Sequence, residues 1–413
     1  MPRRFGVKPA GMSESIPVAR RLSAVKPSAT VAVAQRAREL KQQGIDVLSF
    51  SVGEPDFNTP KHICEAAKQA IDRGASKYTA VRGVPELLNA ICEASAKRRT
   101  GVHYEPSQVV VSVGAKHTLF NLALALYDEG DDILIPAPYW VSYPEQVRVV
   151  GANPVIVETS EEDGFRMTPE ALRAAITPKT KALILCSPSN PTGAAYTGDQ
   201  LAALGEVAAE HDFWIIVDEI YGQLVYGGFD QKSIAEVAPE LRDRIIIVDG
   251  VSKTFAMTGW RIGWMLGPAY VAAACDKIQG QATTNPAAVA QYAAIAALQG
   301  PWGPMEEMRR AFEARRDLIV AGLNDIEGIT CRLPEGAFYA FANVQGLVGK
   351  QGGGKKLEND LDVAGYLLEE ARCAVVPGAA FGAPGFVRIS YATGNDTIRE
   401  GLKRIGEAVS KLR

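Results

Sequence analysis

The sequence predicts an α/β fold in which a mostly parallel central sheet forms a large domain and a smaller α+β domain is built from both termini. Through the middle of the chain, short apolar runs alternate with longer helix-like stretches, the order expected for strands and helices packed in layers. Several of these runs are apolar throughout and rich in Val and Ile, as strands covered by helices on both faces should be. The two ends of the chain do not show this alternation.

The predicted large domain extends from residue 65 to residue 305 and contains the strand-like runs. These are Val109–Val113, Asp132–Ile135, Pro154–Val157, Ala182–Cys186, Trp214–Val217 and Arg244–Val248. In an open α/β sheet, ligands bind beyond the carboxyl ends of the strands. Polar residues that directly follow these runs are therefore the candidates for a functional site.

The predicted small domain combines residues 21–64 with residues 306–413. Its N-terminal part has the pattern of a helix over residues 28–43, with Ser28 as a plausible cap. A short strand pattern follows at Ile45–Phe50. Because both ends differ from the alternating middle, we predict that they form one small domain together.

The C-terminal part of the small domain begins with a long charged helix pattern over residues 308–323. Its predicted strands are Ala337–Phe341, Ala374–Val376 and Phe386–Ser390. The Gly- and Lys-rich stretch 349–356 is predicted to be a flexible surface loop, because no strand-to-helix context frames it as a phosphate-binding loop. Residues 1–20 have little apolar periodicity and are predicted to be an N-terminal tail.

Composition excludes several classes of function. The 413 residues carry a formal net charge of −3, so no basic field exists for nucleic acid or an anionic membrane. No stretch approaches the length of an apolar membrane span, and the start of the chain lacks the apolar segment of a secretory signal. The six cysteines form no CxxC pair and no His cluster accompanies them, so we expect no metal site. These features predict a cytoplasmic protein with buried, reduced cysteines.

Two turns after predicted strands could bind a ligand. At Val113–Thr118, a strand passes through Gly114 into an apolar helix, and the free N–H groups of such a turn form an anion site. The alternative is a glycine chosen only for a tight turn. Asn190 lies between two prolines that restrict its backbone, so its amide could donate to a ligand oxygen, although Asn-Pro is also common in ordinary turns.

Two further strand ends carry charged residues. Asp218 ends a wholly apolar strand. Desolvating a carboxylate at this position is costly unless it meets a cation or caps a following helix. Tyr221 could reach the same ligand or could simply pack. Lys253, beside Ser252 and with Arg261 eight residues on, could form an imine with an aldehyde, although a single lysine is usually a surface charge. Arg261 could bind a phosphate or a structural carboxylate. Together, the four groups fit pyridoxal 5′-phosphate (PLP).

The same residues belong to a series of motifs that resembles the class I aminotransferases of PLP fold type I. The resemblance covers about residues 18 to 412 and is strongest to the branch of bacterial aspartate and aspartate/prephenate aminotransferases. The motifs occur in the order Lys26–Thr30, Gly53–Phe57, Lys77–Thr79, Pro138–Trp140, Asn190–Gly193, Asp218–Tyr221, Ser252–Thr254, Gly259–Gly263 and Val387–Tyr391.

The resemblance implies the cofactor-binding residues. Lys253 would hold the cofactor covalently and act as general base, Asp218 would pair with the pyridine nitrogen, and Tyr221 would contact the ring oxygen. The other implied cofactor contacts are Trp140 and Asn190 at the ring, and Ala115, Lys116, Ser252, Arg261 and a partner subunit's copy of Tyr78 at the phosphate. Because Tyr78 would act across an interface, the resemblance implies a homodimer.

The resemblance also implies a substrate site. Arg388 would bind the substrate α-carboxylate, with Gly53, Asn190 and Trp140 nearby, while Thr30 and the Lys116 side chain would bind the distal carboxylate. Some relatives use an arginine in the region of residues 279–285, and this sequence has none there. Gly250 also stands where some relatives have a phosphate-binding serine.

The predicted function is transfer of the amino group of L-aspartate to 2-oxoglutarate by a two-stage, PLP-dependent reaction. One alternative is a prephenate aminotransferase that forms arogenate. A second is a PLP-dependent lyase on the same fold, and a third is a non-catalytic regulator, although the chain has neither the extra domain nor the basic surface of a DNA-binding protein. The expected partners are small amino and oxo acids.

Overall fold

The computed structural model describes residues 19–27 and 29–413. Most of the predicted tail, residues 1–18, and the predicted cap Ser28 lie outside the described residues. In the described part of the chain the helices are α1 (Ala29–Gln42), α2 (Lys61–Asp72), α3 (Pro85–Arg98), α4 (Ala115–Leu126), α5 (Ser142–Val149), α6 (Pro169–Ala175), α7 (Gly198–Ala209), α8 (Ile234–Val237), α9 (Ala269–Ala282), α10 (Ala288–Gln299), α11 (Gly303–Asn324), α12 (Asp360–Glu370) and α13 (Asn395–Val409). The strands are β1 (Leu48–Ser49), β2 (Val109–Ser112), β3 (Asp132–Pro136), β4 (Asn153–Val157), β5 (Thr180–Cys186), β6 (Trp214–Asp218), β7 (Ile245–Gly250), β8 (Gly263–Leu266), β9 (Thr330–Cys331), β10 (Tyr339–Asn343), β11 (Gln351–Gly352), β12 (Lys355–Lys356), β13 (Cys373–Ala374), β14 (Val376–Pro377) and β15 (Phe386–Ser390).

The central sheet has seven strands in the order β2-β8-β7-β6-β5-β3-β4. The neighbouring pairs from β7 to β4 are parallel, whereas β8 runs antiparallel to both β7 and β2. The prediction of an α/β fold with a mostly parallel sheet is therefore confirmed. Each predicted strand of the large domain corresponds to one of β2 to β7, with ends that differ by one or two residues.

The continuous apolar runs arise because the sheet is covered on both faces. Along β7, Ile245 and Ile247 belong to one apolar cluster, while Ile246 and Val248 belong to another on the opposite face. Helices α3, α7 and α10 contribute to the first cluster, and α4, α5 and α9 contribute to the second. Since successive side chains of a strand point to opposite faces, a strand between two helical layers has no position left for a polar residue.

The sequence reasoning did not identify β8. This strand has only four residues and follows the Gly259–Gly263 motif, which was interpreted for its chemistry alone. Its first residue, Gly263, packs against the start of α4, where an added Cβ would overlap the backbone nitrogen of Ala115. A glycine is therefore required for β8 to lie beside the turn that begins α4.

A second apolar core surrounds the strands near the C-terminus and includes residues from both ends of the chain. Phe50 belongs to the same apolar cluster as Phe312 of α11 and residues of α12 and α13. Strand β1 pairs in parallel with β13, so that Leu48 lies opposite Cys373. Pairing between the two ends supports a small unit built from both termini, while the boundaries 21–64, 65–305 and 306–413 stay predictions.

The structure corrects the prediction for residues 349–356. Instead of an irregular flexible loop, β11 and β12 form an antiparallel hairpin joined by Gly353 and Gly354. Both glycines have positive φ angles, 58° and 78°, as tight two-residue hairpin turns require. Gln351 also exchanges backbone hydrogen bonds with Arg413, which ties the hairpin to the C-terminal residue.

Two other predictions need adjustment. The predicted strand Ala374–Val376 is divided at Val375 into β13 and β14, which pair with different partners. The six cysteines are free, but Cys64, Cys92 and Cys186 are only partly buried instead of fully buried. Among the described residues, no helix has the length and apolarity to cross a membrane, and no group of three or more His, Cys, Asp and Glu residues could hold a metal ion.

Candidate active site

A cavity of about 460 Å³ lies at the carboxyl ends of the central strands, where the large sheet meets the second core. Its size is typical of pockets that bind small molecules. Every site residue predicted from the sequence lines it except Tyr78, namely Thr30, Gly53, Ala115, Lys116, Trp140, Asn190, Asp218, Tyr221, Ser252, Lys253, Arg261 and Arg388. Tyr78 is 88% exposed and lies outside this cavity. The roles of all these residues stay predictions.

Lys253 follows β7 and points into the cavity. Its Nζ donates a hydrogen bond to the backbone oxygen of Gly53 at 2.6 Å. Burial lowers the pKa of Lys253 to about 8; Glu54 opposes this shift, whereas Arg261 and Arg388 add to it. Since an uncharged amine is the reactive form, a lysine with such a pKa can act as a nucleophile or base near neutral pH. A lysine that is only a surface charge would not have this environment.

Asp218 ends β6 and is 4% exposed. Burial raises its pKa to about 6, although hydrogen bonds from Tyr143 and the Ile220 backbone lower it. The Tyr143 hydroxyl donates to Oδ2 at 2.8 Å and the Ile220 N–H donates to Oδ1 at 3.2 Å. No helix begins after Asp218, so the alternative interpretation as a helix cap is wrong. A buried carboxylate that is mostly ionised at pH 7 favours a cation in the cavity.

A buried ion network outside the cavity contacts the ends of β6 and β7. Glu219 accepts hydrogen bonds from Nε and Nη2 of Arg99, at 3.0 and 2.5 Å. Asp249 of β7 accepts one from Nη2 of Arg98 at 2.7 Å. Both arginines lie at the end of α3. Because removing one partner of such a pair leaves a buried charge unpaired, the network fixes the two strand ends that present Asp218 and Lys253.

Arg388 lies in β15 with 2% exposure, and its side chain enters the cavity from the second core. Its Nη1 donates to Oδ1 of Asn190 at 2.9 Å, and its Nη2 donates to the backbone oxygen of Ser51 at 2.6 Å. The guanidinium also lies 4.6 Å from the ring centre of Tyr339. Its Nε is buried without a hydrogen-bond partner among the described residues. A fixed guanidinium with a free donor is suited to binding a carboxylate.

The turn into α4 has the features of an anion site. Gly114 has a φ of 84° and α4 begins without a side-chain cap, so the first N–H groups of the helix are available. Arg261 lies against this turn, with Nη1 donating to the Thr258 oxygen at 2.9 Å. A Cβ on Gly114 would lie 2.6 Å from Nη2 of Arg261, so this glycine serves more than a tight turn. Among the described residues Arg261 has no ion-pair partner, which disfavours a purely structural role.

Several cavity residues were not found from the sequence. Tyr143 contacts Asp218, the Tyr339 hydroxyl lies 2.8 Å from that of Tyr221, and Cys186 and Arg38 also line the wall. The only sequence signal for Tyr143 was its closeness to the motif that ends at Trp140. Tyr339 lies in a predicted strand, and as an aromatic residue in an apolar pattern it could not be distinguished from ordinary packing.

Lys116 and Trp140 form one side of the cavity. The Lys116 Nζ lies 4.8 Å from the ring centre of Trp140, within the range of a cation–π contact. Burial and the nearby Arg261 lower the pKa of Lys116 below its usual value. The Lys116 side chain thus places its amine inside the cavity, close to an aromatic face.

Comparison with known proteins shows which family the chain resembles. The family model described as aminotransferase class I and II matches residues 45–405. The chain is 49% identical over 388 residues to an aspartate aminotransferase of Geobacillus stearothermophilus, covering 94% of this chain and 98% of that protein. It is 51% identical over 386 residues to an aspartate/prephenate aminotransferase of Cereibacter sphaeroides, covering 93% of this chain and 96% of that protein.

Solved structures of similar proteins have the same fold. An aspartate aminotransferase from Rhizobium meliloti matches with a TM-score of 0.94 and 44% identity, over 97% of this chain and 100% of that one. An aspartate aminotransferase from Thermus thermophilus, solved with maleate, matches with a TM-score of 0.90 and 42% identity, over 95% of this chain and 100% of that one.

Proposed function

The chain belongs to the class I and II aminotransferase family, and from this premise we propose that it transfers the amino group of L-aspartate to 2-oxoglutarate, giving oxaloacetate and L-glutamate. The observation that carries the proposal is that Lys253, Asp218 and Arg388 all face one cavity. Relatives at 45–49% identity over most of the chain are named aspartate aminotransferase, which supports aspartate as the amino donor.

Membership of this family implies the use of PLP, and the cavity residues fit that cofactor. A buried carboxylate at Asp218 suits a protonated ring nitrogen, and the start of α4 with Arg261 suits a phosphate. The pKa of Lys253, lowered to about 8, suits an amine that bonds to an aldehyde. When bound, PLP would supply that aldehyde and a ring that accepts electrons from the substrate.

The positions of the side chains support the remaining cofactor contacts of this proposal. Asn190, whose oxygen faces Arg388, has its amide N–H groups available for a ring oxygen, with Tyr221 beside it. Trp140 would cover the ring. The phosphate would be held by the backbone of Ala115 and Lys116 and by the side chains of Ser252 and Arg261.

Each protein group then has a defined task. Arg388 binds the substrate α-carboxylate and so orients the Cα–H bond toward Lys253. The uncharged Lys253 amine removes the proton from Cα, and in the reverse half-reaction it returns a proton to the same atom. Asp218, ionised above about pH 6, maintains negative charge beside the ring nitrogen. The carbonyl oxygen of Gly53 holds the Lys253 amine in position.

We also propose that the active enzyme is a homodimer in which Tyr78 reaches the phosphate site of the other subunit. The support is that Tyr78 is 88% exposed and lies outside the cavity of its own chain. An aromatic side chain so exposed is typical of an interface residue.

Prephenate is the second candidate substrate, favoured by the 51% identity to a relative named aspartate/prephenate aminotransferase. Its second carboxylate could also bind at Thr30 and Lys116, which line the cavity. The lyase and regulator alternatives have no such observation in their favour.

The test is steady-state kinetics of the PLP-loaded protein in two separate assays, one with aspartate and 2-oxoglutarate and one with glutamate and prephenate. We expect 2-oxoglutarate-dependent formation of oxaloacetate, and loss of turnover in Lys253→Ala. The matched control is Lys411→Ala, which removes an exposed lysine near the C-terminus. Near-normal turnover in Lys253→Ala, or oxaloacetate production that is negligible beside arogenate production, would overturn the proposal.

A further inference from the structure

One face of α1 lies along the cavity. Four of its residues line the wall, namely Thr30, Val31, Ala34 and Arg38. Thr30, Ala34 and Arg38 are spaced by four residues, so they lie on the same side of the helix. Arg38 is two turns beyond Thr30, about 12 Å along the helix axis. Because Ala34 between them has only a methyl group, no long side chain separates the two polar residues.

The Arg38 side chain is directed back toward Thr30. Its Nη2 donates to Oε1 of Gln35 at 2.9 Å, three residues nearer the N-terminus of α1. Long helical side chains commonly run in this direction over the preceding turn. Among the described residues, no carboxylate lies within ion-pair distance of Arg38. Its remaining N–H donors and its charge are therefore available to a ligand at the cavity mouth.

The other cations of the cavity already have tasks in the proposed function. Arg388 is fixed for the α-carboxylate, Arg261 lies at the anion site, and Lys253 is the reacting amine. Lys116 is left for a second carboxylate, but burial and Arg261 lower its pKa and so weaken its hold on the proton. A substrate with a second carboxylate therefore has use for another positive group near Thr30.

We propose that Arg38 is a specificity-determining residue that binds the distal carboxylate of five-carbon dicarboxylic substrates at the mouth of the cavity. With the α-carboxylate held by Arg388, one additional methylene extends the diacid along the face of α1 that carries Thr30 and Arg38, toward the Arg38 guanidinium that is directed back over Gln35. Four-carbon diacids reach Thr30 and Lys116, whereas five-carbon diacids also reach Arg38. With Arg38, one site can bind both the four-carbon substrate aspartate and the five-carbon substrate 2-oxoglutarate. This inference rests on the proposed function, which assigns the α-carboxylate to Arg388 and the second carboxylate to Thr30 and Lys116.

The test measures binding without turnover. Dissociation constants of two unreactive diacids, four-carbon succinate and five-carbon glutarate, are determined by calorimetry on the PLP-loaded enzyme. In Arg38→Gln we expect glutarate binding to weaken about five- to tenfold, the effect of one charge-assisted hydrogen bond at a partly exposed site, and succinate binding to change less than about twofold. Arg38→Lys keeps the charge but loses the planar fork. Its dissociation constant for glutarate should lie between those of the wild-type enzyme and Arg38→Gln.

Arg36→Gln is the matched control. Arg36 lies on the same helix, does not line the cavity, and has its charge 3.6 Å from Glu39. Arg36→Gln changes the net charge of the protein by the same amount as Arg38→Gln. Equal losses of glutarate affinity in the two variants would therefore indicate only a long-range electrostatic effect and would overturn the proposal. An unchanged ratio of glutarate to succinate affinity in Arg38→Gln would also overturn it.

The outcome also separates this inference from the proposed function. If the wild-type enzyme converts aspartate and 2-oxoglutarate but Arg38→Gln keeps the wild-type ratio, only the role of Arg38 is wrong. If the wild-type enzyme lacks that activity and binds neither diacid, the proposed function itself fails, and the assignment of Arg38 fails with it.

Discussion

Replacing Tyr143 with Phe should move the pH dependence of the enzyme. The Tyr143 hydroxyl donates to Oδ2 of Asp218 at 2.8 Å, and this bond is one of two that lower the pKa of a carboxyl raised by burial to about 6. A hydrogen bond to a charged group contributes about 1.5–3 kcal/mol, and one pKa unit corresponds to about 1.4 kcal/mol. Loss of the hydroxyl should therefore raise the pKa of Asp218 by about one to two units.

The direction of the pH shift depends on which protonation state of Asp218 is active. Asp218 supports the reaction as a carboxylate, so a higher pKa removes the active form at low pH and leaves it at high pH. This pKa applies to the cofactor-free protein, so we expect the acidic limb of its PLP-binding profile to shift upward by about one to two pH units, with near-normal affinity above about pH 9. Tyr127→Phe, which also removes a buried tyrosine hydroxyl from the same apolar cluster, is the control. Superimposable pH profiles of Tyr143→Phe and the wild-type enzyme would refute the role of the hydroxyl.

Two further predictions concern stability. Gly263→Ala should destabilise the protein by about 1–3 kcal/mol, because the new methyl group overlaps the backbone at the start of α4, whereas Gly259→Ala, at a position with open space, should have little effect on thermal unfolding. Gln279→Leu should cost about 3 kcal/mol in denaturant unfolding, because it leaves two backbone carbonyls and the amide of Asn121 without their partner. The exposed Gln281 on the same helix provides the control variant, and equal unfolding midpoints for the two leucine variants would contradict this account.

The strands of the large sheet could be predicted because burial on both faces leaves a simple signal. Runs such as Ile245–Val248 are apolar at every position, and each position contacts a helical layer. The antiparallel strand β8 was missed because four residues give too short a pattern. The hairpin at 351–356 was missed because a Gly-rich sequence is compatible with both a loop and a tight turn, and only pairing decides between them.

The site was predictable to the extent that its residues directly follow strands. Asp218 ends β6, and Lys253 and Asn190 follow the neighbouring strands β7 and β5, so the sheet brings all three to one edge. Tyr143 and Tyr339 could not be found in this way, because each acts through a contact with a residue 75 or 118 positions away. Arg38 is an exposed arginine on a helix, and without the position of α1 it is indistinguishable from Arg36.

The sequence alone determined the class of chemistry, since the order of motifs and the residue types at the strand ends fit one cofactor and one family. It could not determine the charge state of these groups or their neighbours. The pKa of Lys253, lowered to about 8, and that of Asp218, raised to about 6, result from burial among residues distant in sequence. The tertiary structure decided these properties because desolvation and hydrogen bonding depend on distances in space, which a linear pattern does not contain.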